Sequence, residues 1–197
     1  MPASPALSST ASTSSGLVSP IPPSGRGPAL ANVEAETKMK HAIPFLHRTG
    51  RGALEVEISR GTVKRYRLRE ALETAVAADA DLTGAYLVGA NLVGAYLGGA
   101  DLSRACLEDA NLAGANLCGA HFVDADLSGA SLRDADVQDA DLSGASLRDA
   151  DVQDADLTGA HLARADLGGA RIVRARLAHA DLRGADLRGA AGCETAW

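Results

Sequence analysis

Ala80-Asp81-Leu82-Thr83-Gly84 is followed by Ala85-Tyr86-Leu87-Val88-Gly89, and the same Ala-x-Leu-x-x frame continues without a break to Gly189. The run holds twenty-two five-residue units. Alanine stands first in all of them, and the third place is leucine except at Phe122, Val137, Val152 and Ile172. On an α-helix five residues advance about 500°, so these leucines would spiral around the axis and form no stripe. On a flat strand an odd period throws alternate leucines onto opposite faces. The chain must therefore turn once per unit to bring each leucine back inside. Glycine at the fifth place of twelve units, as at Gly84, Gly129 and Gly159, supplies the backbone freedom that such a turn needs. Units of this kind bury apolar surface only against neighbouring coils, so the expected fold class is an all-β solenoid.

The units closely resemble the consensus of the pentapeptide repeat family: a small residue, then Asp or Asn, then Leu, then two variable positions. The resemblance covers residues 80–189, 110 of the 197. It implies a right-handed quadrilateral β-helix with four units per coil, the first and third places pointing inward, and so about 5.5 coils. At the spacing of about 4.8 Å between strands, the rod would be about 26 Å long. Stacked in twenties, one inward column would carry Leu92, Leu112, Leu132, Val152 and Ile172. Another would carry Leu97, Leu117, Val137, Leu157 and Leu177.

The flanks read differently. Residues 1–40 are rich in Ser, Pro and Ala and are expected to be a disordered tail, or sequence upstream of a true start at Met39. Met1-Pro2-Ala3-Ser4-Pro5 lacks the basic start and apolar stretch of a secretory signal. Residues 41–79 are expected to form an N-terminal cap. Leu54, Val56 and Ile58 alternate as a strand, Ser59-Arg60-Gly61 offers a turn, and Thr62 to Arg67 would return as the second strand of a hairpin. Leu68, Leu72 and Val76 then share one face of a short helix reaching about Ala77. Family members often carry a similar strand and helix lead-in. The basic run Lys64, Arg65, Arg67 and Arg69 reads as a solvated face, the alternative being a small recognition module. Residues 190–197 are a C-terminal tail in which Trp197 is expected to fold over the last coil, the alternative being a dimer anchor.

Composition narrows the function classes. Apolar residues make up 46% of the chain but aromatics only 3%, which suits a thin Leu and Ala ladder better than an ordinary globular core. No apolar run approaches the ~20 residues of a membrane span. Cys106, Cys118 and Cys193 form no close-spaced metal motif, and an odd number of thiols fits a reducing cytoplasm. His121, Asp141 and His161 would stack in one outward column, but the two histidines would stand about 10 Å apart, too far to share an ion at about 2.1 Å ligand distances. That column is expected to be a surface charge ladder, and no metal or cofactor is expected. A filled rod offers no concave site that converges nucleophile, acid and base, so no enzymatic activity is expected.

Charge is segregated along the chain. Residues 1–79 hold ten Lys/Arg against seven Asp/Glu, residues 80–160 hold three against fourteen, and residues 161–189 hold six against three. With Glu194 these sum to the net −6 of the whole chain. The family resemblance brings one function class with it, because some pentapeptide repeat proteins are DNA mimics that occupy the DNA-binding saddle of type II topoisomerases. Over four coils, about 19 Å, B-DNA would carry about eleven phosphates, close to the net charge of residues 80–160. Asp is, however, the consensus second residue of the family whatever a member does, and mimics are often lengthened by dimerisation through a C-terminal helix, which is not expected here.

The candidate interaction patch is Asp134, Asp136, Asp139, Asp151, Asp154 and Asp156. Asp151, Asp154 and Asp156 should lie one coil below Arg171, Arg174 and Arg176 and pair with them, leaving Asp134, Asp136 and Asp139 as the freest part. Residues 124–138 also recur letter for letter as 139–153, so part of the acidity echoes a fifteen-residue duplication. The expected function is a non-enzymatic scaffold that binds an unknown protein partner through its outer faces. The alternative is a DNA mimic directed at a type II topoisomerase such as gyrase. Direct nucleic-acid binding is not expected, and a monomer is favoured over a dimer.

Overall fold

The computed structural model describes residues 38–47, 50–59 and 67–192. Strands β1 (Lys38–His47) and β2 (Gly50–Ser59) pair antiparallel from Lys38 opposite Ser59 to His47 opposite Gly50. The alternating stretch Leu54 to Ile58 therefore lies in β2, as expected, but its partner is upstream. β1 offers ten residues of ladder where Thr62 to Arg67 would have offered six. Residues 60–66 lie outside the described residues, and Arg67 opens helix α1 (Arg67–Ala77) instead of closing a strand. The expected tail 1–40 likewise ends early, since Lys38, Met39 and Lys40 belong to β1; its first 37 residues, Cys193 and Trp197 lie outside the described residues.

α1 touches both strands and presents Ala71, Leu72 and Ala75 to the first coil, with Leu68 and Val76 half-buried beside them. Leu72 and Ala75 bracket the face read from the i, i+4 spacing. Ala71 adds an i+3 contact that a leucine count alone does not reveal. Among the described residues no helix is long and apolar enough to cross a membrane.

From Ala80 onward the chain coils with a repeat of twenty. Parallel bridges join each second-place residue to the one twenty residues on, from Tyr86 with Cys106 to Arg171 with Ala191. Twenty residues are four units, so the coil has four sides. Within a unit every backbone N–H has its own destination. The third and fifth places donate forward, as Leu87 does to the Cys106 carbonyl at 2.7 Å and Gly89 to that of Glu108 at 2.8 Å. The second place donates backward, as Cys106 does to the Ala85 carbonyl at 2.9 Å. The first place closes the turn, as Ala85 does onto Leu82 at 3.1 Å. In most units the fourth-place N–H goes to the side chain two residues earlier, as Ser103 does to Asp101 Oδ1 at 3.0 Å.

That turn requires a left-handed residue at its third position, as in a type II turn. Every fifth place from Gly84 to Gly189 has φ between 54° and 77°. Glycine meets the requirement in twelve units as expected, and six Asp, three Arg and His179 meet it in the others. Asp is the commonest substitute because its short polar side chain tolerates this region better than most.

First and third places form the core. From Leu82 to Leu177 their alanines and leucines are buried, and Phe122 is the largest side chain enclosed. Toward the C-terminal end Ala180, Leu182, Ala185 and Leu187 are only partly covered. Leu132, 1% exposed, sits mid-column. Leu132→Asp removes that packed side chain and buries a charge without a partner, so it is expected to cost about 3–5 kcal/mol, read as a lower urea midpoint with the denaturant slope unchanged.

Candidate functional site

Each edge of the rod is built from a fifth-place residue, the alanine after it and the next second-place residue. One edge collects most of the candidate patch. Along the axis its second places run Tyr96, Asn116, Asp136, Asp156 and Arg176, joined by consecutive bridges. The fifth places beside them are Gly94, Gly114, Asp134, Asp154 and Arg174. The edge is thus uncharged for two coils, acidic for two, and basic in the last.

The basic end is spent on the acidic coil below it. Arg174 forms a two-pronged pair with Asp154, Nε to Oδ1 at 2.5 Å and Nη2 to Oδ2 at 2.6 Å. Arg176 reaches Asp156 at 3.3 Å and Arg171 reaches Asp151 at 3.5 Å. The three pairs expected from twenty-residue stacking all form. Arg174 holds the Asp154 carboxyl below the usual carboxylate range by direct hydrogen bonding. For Asp156, partial burial opposes ionisation, but hydrogen bonds from Thr158 and the charge of Arg176 outweigh it and lower its pKa.

Asp151 is engaged further than the stacking rule foresees. Arg133 approaches it from the other side at 3.2 Å and also donates to Gln153 Oε1. Arg171 donates to the same Gln153 oxygen at 3.0 Å. Two arginines therefore clamp one carboxylate and one buried amide. The signal in the sequence is an Arg at a fourth place eighteen residues before an Asp, and it recurs at Arg148 with Asp166, 3.1 Å apart.

Asp134, Asp136 and Asp139 form no ion pair among the described residues. Asp136 accepts from the Gln138 amide at 3.2 Å. Asp134 and Asp139 occupy left-handed fifth places. The Asp139 carboxylate lies over the next coil at Gly159, where a Cβ would collide with it. Asp139 belongs to a neighbouring edge, so the structure brings Asp134, Asp136, Asp154 and Asp156 together and sets Asp139 and Asp151 to either side.

The second-place carboxylates have a local task that the sequence pattern alone does not disclose. Asp101, Asp126, Asp136, Asp141, Asp151, Asp156, Asp166, Asp181 and Asp186 each accept the amide two residues on, and Asn111 and Asn116 do the same. The column Asp101, His121, Asp141, His161, Asp181 is a continuous bridged ladder. Burial opposes ionisation of Asp141, but Ser143 and the flanking His161 and His121 outweigh it and lower its pKa. Among the described residues no group of three or more His, Cys, Asp and Glu is placed to hold a metal ion. Cys106 is half-buried and Cys118 exposed; burial, with Asp126 and Glu108 nearby, raises the Cys106 pKa.

Four-sided coils of five-residue sides joined by parallel ladders define a β-helical solenoid. The family model for pentapeptide repeats matches residues 78–112, 110–149 and 150–189, and the chain belongs to that family, whose fold is the right-handed quadrilateral β-helix. No curated protein matches the chain. Among solved structures it is similar to HetL, a pentapeptide repeat protein involved in heterocyst differentiation regulation from Nostoc sp. strain PCC 7120, with 34% identity and a TM-score of 0.44 over 57% of this chain. The match spans 64% of HetL. A pentapeptide repeat protein of the Arabidopsis thaliana thylakoid lumen is 33% identical over 55% of this chain and 80% of its own, with a TM-score of 0.30. QnrB1, a plasmid-mediated fluoroquinolone resistance protein, is 18% identical over 51% and 66%, with a TM-score of 0.29.

Two predictions test the division between structural and free carboxylates. Asp136→Asn keeps the acceptor for Gln138 and is expected to be nearly neutral, whereas Asp136→Ala is expected to lose about 1 kcal/mol in chemical denaturation. Arg183 and Arg188, hydrogen-bonded to Asp181 and Asp186, pull those carboxyls down to about 2. A depressed folded-state pKa adds stability above the ordinary carboxylate range that is lost as pH falls toward 2. Carboxyl titration by NMR should place both near 2, and Arg183→Gln should return Asp181 toward ordinary values while leaving Asp186 in place.

Proposed function

We propose that this chain is a non-enzymatic scaffold, about 5.5 coils long and closed at its N-terminal end by the β1–β2 hairpin and α1, that binds a protein partner through its outer faces in a reducing cytoplasm. The observation that carries this reading is the division of labour within each unit. Two of five places are consumed by the core and the backbone is consumed by ladders and turns, so chemistry is left to outward side chains on convex faces. The described surface carries open depressions. One of about 300 Å³ is lined by Arg148, Asp149, Gly168, Gly169, Asp186 and Arg188, and one of about 190 Å³ by Val76, Asp79 to Asp81 and Gly99 to Asp101. Neither aligns a nucleophile with a base.

The second reading is a DNA mimic directed at a type II topoisomerase, favoured by one feature. Among the described residues Asp134, Asp136 and Asp139 form no ion pair, while Asp151, Asp154 and Asp156 of the next coil are paired with arginine. A partner's cations would engage these three first. Supercoiling by purified gyrase in the presence of the protein, with and without a quinolone, tests it. Inhibition or protection that is lost in the Asp134→Asn/Asp136→Asn/Asp139→Asn variant, which retains the amide acceptor at position 136, is the expected result. Neither effect at micromolar protein would sink the topoisomerase reading.

A further inference from the structure

We propose that Arg69 and Glu73 stand in for a missing coil: their side chains end the backbone ladder on one side of the rod and so latch α1 over its N-terminal end. Between coils the ladder has fixed offsets. A fifth-place N–H reaches the carbonyl nineteen residues on, as Gly94 does to Ala113 at 2.9 Å, and a second-place N–H reaches the carbonyl twenty-one residues back, as Asn116 does to Ala95 at 2.9 Å. In the first coil the same offsets would pair the Val93 carbonyl with the Thr74 amide and the Tyr96 amide with the Ala75 carbonyl. Thr74 and Ala75, however, lie inside α1. Their amides run along the helix, and their carbonyls accept from Ala78 and Ala80. The helix backbone is therefore already committed.

Two side chains take its place. Arg69 Nη1 donates to the Val93 carbonyl at 3.0 Å, and Glu73 Oε1 accepts from the Tyr96 amide at 3.0 Å. The same Oε1 lies 3.2 Å from Arg69 Nε, so the pair is braced across one helical turn as it meets the rod. The order of the two charges points the same way. A helix by itself favours an acid in its first turn and a base four residues later, because the macrodipole and the i, i+4 geometry both prefer that order. Arg69 in the first turn of α1 and Glu73 after it reverse the preference. A ladder end with its carbonyl at Val93 and its amide at Tyr96 needs the reversed order, since the donor must come first. Open ladder ends are templates for foreign strands, and the latch occupies this donor and acceptor.

Hydrogen exchange followed by NMR on the full chain reads the latch at single amides. Glu73→Ala is expected to speed exchange of the Tyr96 amide about tenfold, whereas Glu73→Gln, which keeps an acceptor, should hold it within about threefold of the parent. The Leu97 amide, which donates to Asn116 in the next coil at 2.9 Å, should change by less than about twofold in either variant. In urea, Arg69→Glu/Glu73→Arg is expected to lower the midpoint as far as Arg69→Ala/Glu73→Ala does, because acceptor then faces acceptor and donor faces donor. A pair that served only the helix would keep or raise its midpoint when exchanged. A Tyr96 amide indifferent to Glu73→Ala overturns the proposal, and so does an exchanged pair as stable as the parent.

Discussion

The backbone of a five-residue unit has five N–H groups, and the rest of the structure follows from where they go. Two reach forward to the next coil, one reaches back, one closes the turn and one is left for a side chain. Buried backbone donors without partners are costly, so this division constrains each place in the unit. The first place must be small because its side chain is enclosed between leucine columns while its N–H ends the turn. The fifth must accept a left-handed backbone. The second supplies an acceptor in most units, and in those units it is Asp or Asn.

Seven of the fourteen acidic residues of 80–160 stand at these second places, and six more are the left-handed fifth-place aspartates. A second-place aspartate is first an acceptor for a neighbouring amide and only then a charge. Asparagine does the same work at Asn111 and Asn116 without making the surface negative. The duplication adds charge that does not align. Fifteen residues are three sides of a four-sided coil, so Asp124-Ala125-Asp126 and its copy Asp139-Ala140-Asp141 fall on different edges. Arg133 and its copy Arg148 make parallel contacts, to Asp151 and Asp166, on different sides of the rod. Negative charge therefore winds around the rod and accumulates over successive coils mainly at Asp134, Asp136, Asp154 and Asp156.

Legibility followed the range of the interaction. The Ala and Leu frame rests on a strict period, and once the family resemblance supplies four units per coil, counting residues reaches the twenty-residue stacking and the pairs Asp151 with Arg171, Asp154 with Arg174 and Asp156 with Arg176. The partner of β2 was not legible, because both the upstream segment 38–47 and the downstream segment 62–67 could pair with it and local alternation does not choose between them. The clamp of Arg133 and Arg171 on Asp151 and Gln153 was hidden for a related reason. Its members come from three successive coils, and long side chains reach diagonally across the ladder as well as along it.

The sequence by itself determined a solenoid that turns once per five residues, because only such a turn keeps each leucine inside, while its four sides and stacked columns came from the resemblance to the pentapeptide repeat family. Tertiary structure decided which carboxylates remain unpaired among the described residues, which hairpin abuts α1, and that the uncharged stretch between Leu82 and Ala100 presents Tyr96 and Val93 to solvent. Those outcomes depend on side-chain reach between coils and on competition among distant segments, and neither is written in a local repeat.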